Sequence, residues 1–579
     1  MVALVAALAV AAPIPVEITT TETGYGLVRG GEAFPLRGAG GGEGLAELAA
    51  AGGTTIRTWG VGDETESFLD EAHALGLGVS VGIWLGHERH GFDYGDAEQV
   101  AEQRRVVLEA VERLKDHPAV LLWGLGNEME GFEGGDDPQI WSAVCELAEA
   151  IQERDPHHPV MSTTADIGGG RVAGIMGCDA IDIHGINSYG GAPSIPERYA
   201  AAGGTKPIVL TEYGPPGTWE IGRTDFGAVE ELTSTAKAAH YERVTRETFA
   251  HPQVMGGYAF LWGWKVEATS TWYGLFLPDG TRLAGVEALR AAWGGPPPEN
   301  HVPVVTPLEV SATTPEPRSV VTVSWTVTDP DGDPVQTTWT LRREASTYIT
   351  GGDAQAMPVA IPDAIRSVST ERAELKMPSF PGVYRVYAEA RDGHGGGAVA
   401  SVPLLVGELP PPDAPVPMPW PVYADGGGGG PWAPSGYMGN VESIAMDPAW
   451  TKGCDTPPTC LRVDYRDPGG WAGVAWQNPV NDWGDEPGGY DLSSAKRLVF
   501  RVRGHMGAER VAFGVGLIGD DKPYPDSLEA EKKVTLTKEW QTVRIPLRGD
   551  ASSVKTGFRW VLGGHGRPVT FYLDDVRFE

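Results

Sequence analysis

Cysteine is scarce. The 579 residues include four, at positions 145, 178, 454 and 460. No two of them stand in CxxC spacing, which removes the zinc-ribbon and thioredoxin-like motifs. Basic residues are few as well. Lys and Arg number 45 against 77 Asp and Glu, a formal net charge of −32. A surface this acidic repels phosphate backbones and anionic lipid heads, so neither nucleic acid nor a membrane surface is an expected partner. Long apolar runs are missing beyond the N-terminus, so no transmembrane helix is expected. The opening MVALVAALAVAAPIP has the length of a signal-peptide apolar core, and Ala11 and Ala12 suit a cleavage site. No Lys or Arg precedes Arg29, however, so the usual basic start is absent. Residues 1–12 are read as a secretory leader with a truncated start; a mature first strand is the alternative.

Hydrophobic residues make up 41% and charged residues 21%, which is ordinary for globular domains and enough for several cores. The length suits about three or four domains. Two Pro-rich breaks, GGPPPENHVPVVTP (294–307) and ELPPPDAPVPMPWPV (408–422), divide the chain into three parts. In the first (15–296), eight short apolar runs alternate with helical patterns: 35–40, 54–60, 78–84, 119–126, 159–164, 180–189, 207–213 and 257–264. Eight strand–helix units in under 300 residues predict a (β/α)8 TIM barrel. A doubly wound sheet would need a Gly-rich phosphate fingerprint after its first strand. GAGGGEG (38–44) lacks the required third glycine and reads as a flexible loop. The middle part (303–407) alternates with period two, as in VVTVSWTVTD and GVYRVYAEARD, and predicts an Ig/cadherin-like β-sandwich. Its DPDGDP (329–334) is either a calcium loop or a tight acidic turn. The last part (420–579), with KRLVFRVRG and VTFYLDDVRFE, predicts a jelly-roll sandwich. Cys454 and Cys460, in the turn-rich GCDTPPTC, are expected to pair in an exported protein. Cys145 lies in an apolar helical pattern and Cys178 precedes a strand; both are expected to be buried thiols.

The chemistry starts at LLWGLGNEMEGF (121–132). Its apolar half supplies the fourth strand, and Asn127 and Glu128 fall at the strand's C-terminal end, where barrel active sites are built. PIVLTEYG puts Glu212 in the same setting on the seventh strand. The two carboxylates are 212 − 128 = 84 residues apart. Placed to flank one bond, such a pair suits glycosidic cleavage, one protonated as the acid and the other ionised as the nucleophile. Their mutual repulsion raises one pKa and keeps the acid protonated.

These segments carry a resemblance. HPAVLLWGLGNE, KPIVLTEYG, TTIRTW, DIHGINSYGG and GGYAFLWGWKVE occur in the order found in the clan of (β/α)8 retaining glycoside hydrolases, and are most similar to family 2 barrels, with family 5-like barrels sharing the motifs. The likeness covers roughly residues 24–294. It implies Glu128 as acid/base and Glu212 as nucleophile. It further implies Asn127 on the substrate 2-hydroxyl, Arg57 and Tyr189 holding Glu212, Asn187 in support, and Trp262 as part of a sugar platform. Glu130 is then not catalytic. One departure stands out: family 2 enzymes place sandwich domains before the barrel, whereas here they follow it. The last domain resembles jelly-roll carbohydrate-binding modules.

Other candidates are weighed against plainer readings. HERHG (87–91) has Gly91 where a zinc-protease helix needs His, so His87 and His90, with Phe92 and Tyr94, are expected to line the cleft. His184, within a strand, is expected to be a core histidine. Of Trp59, Trp84, Trp219, Trp264 and Trp272, about half are expected to offer flat faces to sugars and the rest to pack. The reading is a secreted or periplasmic, monomeric, retaining β-glycosidase acting on a polysaccharide, preferably a β-glucan, with no cofactor or metal. A transglycosylase using the same two Glu and a non-catalytic glycan-binding protein are the rivals.

Overall fold

The computed structural model describes residues 12–579 except 23, 131–133, 346–347, 349–350, 352–354, 356, 359, 362–363, 379–380, 409–414, 424–430, 458 and 565. The expected leader lies almost wholly outside the described residues. Among them, no helix is long and apolar enough to cross a membrane.

Three short antiparallel strands come first: β1 (Val16–Thr21), β2 (Gly24–Arg29) and β3 (Glu32–Phe34). Gly30 and Gly31 join β2 to β3, both at positive φ, as a two-residue hairpin turn of the primed type requires. These strands lie outside the eight runs that the sequence predicts. Val16 and Leu27 pack on Leu36, Leu121, Met161, Ile183, Val209 and Tyr258. The meander therefore covers the N-terminal end of the barrel.

Eight parallel strands then close that barrel: β4 (Leu36–Gly41), β5 (Thr55–Arg57), β6 (Gly78–Ile83), β7 (Val120–Asn127), β8 (Val160–Ala165), β9 (Ile183–Asn187), β10 (Ile208–Tyr213) and β11 (Val254–Trp262). Each falls on one of the eight apolar runs. Strands such as VLLWGLGN are buried at every position, because the barrel interior takes one face and the helices take the other. Helices α1 (Leu45–Ala50), α2 (Thr65–Ala74), α3 (Ala97–Leu114), α4 (Pro138–Arg154), α5 (Arg171–Met176), α6 (Ile195–Ala201), α7 (Ser234–Glu247) and α8 (Ala284–Trp293) form the outer ring. Their starts are chemically marked. Asp96 caps α3 by accepting from the backbone N–H groups of Glu98 and Gln99, and Asp137 caps α4 ahead of Pro138.

The middle domain is a sandwich of a four-stranded sheet (309–310, 320–324, 372–376, 365–368) and a three-stranded sheet (336–343, 382–391, 397–406). Trp325, Trp339, Leu341, Leu375, Tyr384 and Val386 lie between them. In the DPDGDP turn, Asp329 accepts from the N–H groups of Asp331 and Asp333, and Asp331 pairs with His301. Among the described residues no group of three or more His, Cys, Asp or Glu is placed to hold a metal ion. The C-terminal domain stacks two antiparallel sheets around Phe500, Phe513, Phe558, Trp560 and Phe571 in a jelly-roll arrangement.

Cys454 and Cys460 are bonded to each other. Cys145 and Cys178 also form a disulfide and are not free thiols. Cys145 in α4 and Cys178 just past α5 have their Cα atoms 5.5 Å apart, within disulfide reach, a proximity that a sequence separation of 33 does not reveal.

The middle sandwich is more than a spacer. Arg385, fully buried, pairs bidentately with Glu344 and donates to the Val229 carbonyl and to Ser401 Oγ. Ser401 in turn donates to Glu231, which holds Lys237 of α7 and the Thr271 hydroxyl. Three barrel loops are tied down in this way. The loop after β10 is held through Val229 and Glu231. The loop after β11 is held by Gln355, whose side-chain amide makes two hydrogen bonds to the backbone of Ala268. The loop after β6 is held by Arg89, which donates to the Gly351 carbonyl.

Candidate active site

At the C-terminal end of β7 the backbone turns sharply. Glu128 takes a positive φ of 53°, uncommon for a residue with a side chain and a mark of a constrained position. Its N–H is held by the Thr163 carbonyl. Glu128 Oε1 accepts from Asn187 Nδ2 at 2.7 Å. From β10, Glu212 Oε1 accepts from Arg57 Nη1 and Trp59 Nε1, both at 2.9 Å, and Oε2 accepts from the Tyr189 hydroxyl at 2.8 Å.

One chain of hydrogen bonds joins the two carboxylates. Arg57, 3% exposed, bonds Glu212 with Nη1 and Asn127 Oδ1 with Nη2 at 2.7 Å. Asn187 Nδ2 reaches Asn127 Oδ1 at 3.2 Å as well as Glu128, and Asn187 Oδ1 accepts from Thr211. Asn127 Nδ2 makes no protein hydrogen bond among the described residues. The amide therefore keeps a donor for a ligand.

The environments differ. Burial, then the charge of Glu212, lifts the Glu128 carboxyl to about 7, against the opposing pull of Asn187 and Arg57. Tyr189 is held well above the ordinary phenol range, first by burial and then by Glu212. It stays a neutral donor to that carboxylate.

Both carboxylates line a cavity of about 660 Å³ with Trp59, Trp84, Asn127, Asn187, Tyr189, Trp219 and Phe260. Trp84 and Trp219 are 44% and 59% exposed, large flat faces left open to a ligand. His87 does not line the cavity. It is buried flat beneath Trp84, ring centroids 4.7 Å apart, with His90 behind it. Phe92 and Tyr94 likewise pack on each other, and Tyr94 is tied to the Gly86 carbonyl. Trp262 is 1% exposed, wedged against Phe276 and Trp293, with its N–H on the Gly44 carbonyl. Phe260, two residues earlier, lines the cavity with the two carboxylates, whereas Trp262 lines the neighbouring one. Period two puts 260 and 262 on one face of an ideal strand, so spacing alone could not choose between them. Trp264 lines a neighbouring cavity, and Trp272 is packed. Glu130 is buried on Arg171 and the Ala165 N–H, away from the cavity lining. His184 is fully buried on Thr164. Asp166, Glu220, Lys265, Glu267 and Gly351 also line the cavity. They come from loops with no pattern of their own, and Gly351 comes from another domain.

Residues 67–223, from α2 past Glu212, match the family model described as Glycosyl hydrolases family 2, TIM barrel domain. That stretch of the barrel is thus similar to the TIM barrel of family 2 glycosyl hydrolases. No curated protein matches the chain. Among solved structures, the chain is similar to a β-D-glucuronidase of Dictyoglomus thermophilum, at 16% identity over 49% of this chain and 54% of that one, with a TM-score of 0.38. It is also similar to an endo-β-1,4-mannanase of Thermotoga petrophila, at 13% identity over 65% and 98%, TM-score 0.34. A third is a glycosyl hydrolase family 2 member of Bacteroides cellulosilyticus, at 14% identity over 97% and 64%, TM-score 0.36. The chain thus spans about half the length of the glucuronidase, and likeness at this level transfers no substrate.

Proposed function

We propose that this glycoside hydrolase is a secreted, retaining β-glycosidase acting on a neutral polysaccharide, with a β-glucan as the preferred candidate. The observation that carries it is the pair of linked carboxylates in unlike settings: Glu128 raised and poised to hold a proton, Glu212 gripped by three donors. In the first step Glu212 attacks the anomeric carbon while Glu128 gives its proton to the departing glycosidic oxygen. The C–O bond breaks and a glycosyl ester forms on Glu212. In the second step Glu128, now ionised, takes a proton from water. That water attacks the anomeric carbon and frees Glu212. Asn127 Nδ2 is the candidate donor to the sugar 2-hydroxyl.

Charge supports a neutral substrate. Glu128, Asp166, Glu212, Glu220 and Glu267 line the cavity against one lysine, Lys265, among the described residues, and Lys265 is paired with Glu267. A sugar carboxylate would meet net repulsion there. Two disulfides support export. Exposed Trp471 and Tyr437 on the C-terminal sandwich support a glycan-binding role for that domain.

The test is a panel of β-linked polysaccharides with wild type, Glu128→Ala and Glu212→Ala. Each variant should lose about 10²–10⁴-fold or more. Azide should rescue Glu128→Ala with a β-glycosyl azide and Glu212→Ala with an α-glycosyl azide. The reverse pattern would exchange the two roles. A first-formed product of inverted configuration would refute retention.

A further inference from the structure

A second cavity, of about 850 Å³, abuts the first, and Trp59 and Leu261 line both. Its walls include Trp264, Thr58, Glu43, Glu47 and Arg282, with Gly395 of the middle sandwich at the rim. Its floor includes Gly41 at the end of β4 and Gly42 and Gly44 just beyond it. The floor is bare because side chains there would collide. A Cβ on Gly41 would lie 2.2 Å from the Trp262 carbonyl oxygen, and one on Gly44 would lie 3.2 Å from the Trp262 ring nitrogen. Gly42 differs: a Cβ there meets nothing within 4 Å, and its φ is not positive. The last four residues of the GAGGGEG segment, 41–44, are therefore part of the shaped base of a groove.

We infer that this groove binds further neutral hexose units of the glycan held at Glu128 and Glu212, so that the enzyme cleaves within a chain. The inference rests on the glycosidase reading above. The chemistry fits a sugar. Trp264 is fixed at one edge by its N–H on the Ser270 carbonyl and stands partly exposed, so its ring can stack on a pyranose C–H face. Glu43 is exposed and has no ion-pair partner among the described residues, leaving both oxygens to accept sugar hydroxyls. Glu47 is paired with Arg290, and the Arg282 guanidinium donates to the Asn300 carbonyl, so the two carboxylates of the lining, Glu43 and Glu47, stand against one cation, Arg282. Trp59, shared by the two cavities and bonded to Glu212, marks where one unit passes to the next.

Gly42 supplies the test, since Gly42→Trp would fill the groove without strain in the backbone. Two readouts are compared. The first is the ratio of kcat/KM for cellopentaose or laminaripentaose to kcat/KM for p-nitrophenyl β-glucoside. Gly42→Trp and Trp264→Ala should each lower that ratio about tenfold, the scale of one lost stacking contact plus its buried area. The second is calorimetric binding of the same pentasaccharides to Glu212→Gln, which should weaken by a similar factor when Gly42→Trp is added. If both substrates slow in parallel, or pentasaccharide binding is unchanged by the plug, or neither pentasaccharide binds, the inference is overturned. If wild type hydrolyses nothing but the plug still weakens binding, the groove stands and the catalytic reading fails.

Discussion

Glu128 is where the physical argument is sharpest. Its carboxyl is raised to about 7, by burial first and by Glu212 second, so the acid form is present below that pH and is lost above it. The alkaline limb of kcat/KM should therefore fall near pH 7. Asn187 donates to the charged form and holds the value down. Asn187→Ala should move the limb to higher pH, and a move to lower pH would sink the assignment. Stability follows the same shift with a definite sign. The folded value lies above the ordinary carboxylate value of 4.5. The uncharged group's contribution is therefore fully present below about pH 4.5 and is lost as pH rises through 7. Glu128→Gln keeps the neutral form at all pH. It should raise Tm more at pH 8 than at pH 4.5 in thermal scans; an equal change at both would show that the carboxyl is not strained by its surroundings.

At the scale of elements, the loops that shape the cleft owe their positions to another domain. Arg385 is fully buried between Glu344, Ser401 and the Val229 carbonyl. Arg385→Met leaves Glu344 and Glu231 without it and should cost about 3–5 kcal/mol in denaturant melts. Amide exchange in residues 214–233 should quicken beyond that of the barrel strands, and an unchanged rate would refute the tether. The Cys145–Cys178 disulfide closes a 33-residue separation; its double Ala variant should lose about 3–4 kcal/mol on chain-entropy grounds. These devices also mark what the sequence could and could not show. Barrel strands such as Val120–Asn127 are apolar almost throughout because both faces are buried, so they stand out from their surroundings, and the polar residues at the ends of three of them, Arg57, Asn127 and Asn187, can be read as site residues. The β1–β3 meander is hard to see in the sequence although Gly30–Gly31 marks a hairpin, because its strands are short and half polar and follow an apolar leader-like run. Phe260 does not stand out beside Trp262 because strand periodicity groups the two. The partnership of Arg385 with Val229 spans 156 residues, and no local pattern encodes a contact at that distance.

For the whole molecule, the question is which parts the chemistry needs. The middle sandwich supplies Gly351 to one cavity and Gly395 to the other, and its buried ion pairs close over the loop that follows Glu212. Removing it would take Ser401 from Glu231 and Arg385 from the Val229 carbonyl, and open an apolar surface around Val229, Phe260 and Tyr273. The jelly roll is a different case. It has a separate core built on Phe500, Phe513 and Phe558 and follows the second Pro-rich segment, the composition of a semi-rigid spacer. A chain ending at Gly407 should therefore fold and keep its kcat/KM on p-nitrophenyl β-glucoside. If the jelly roll binds glycan, the same chain should lose activity selectively on an insoluble polysaccharide, where local concentration at the surface matters. Loss on the small substrate as well would mean that the C-terminal sandwich, like the middle one, helps to hold the cleft in shape.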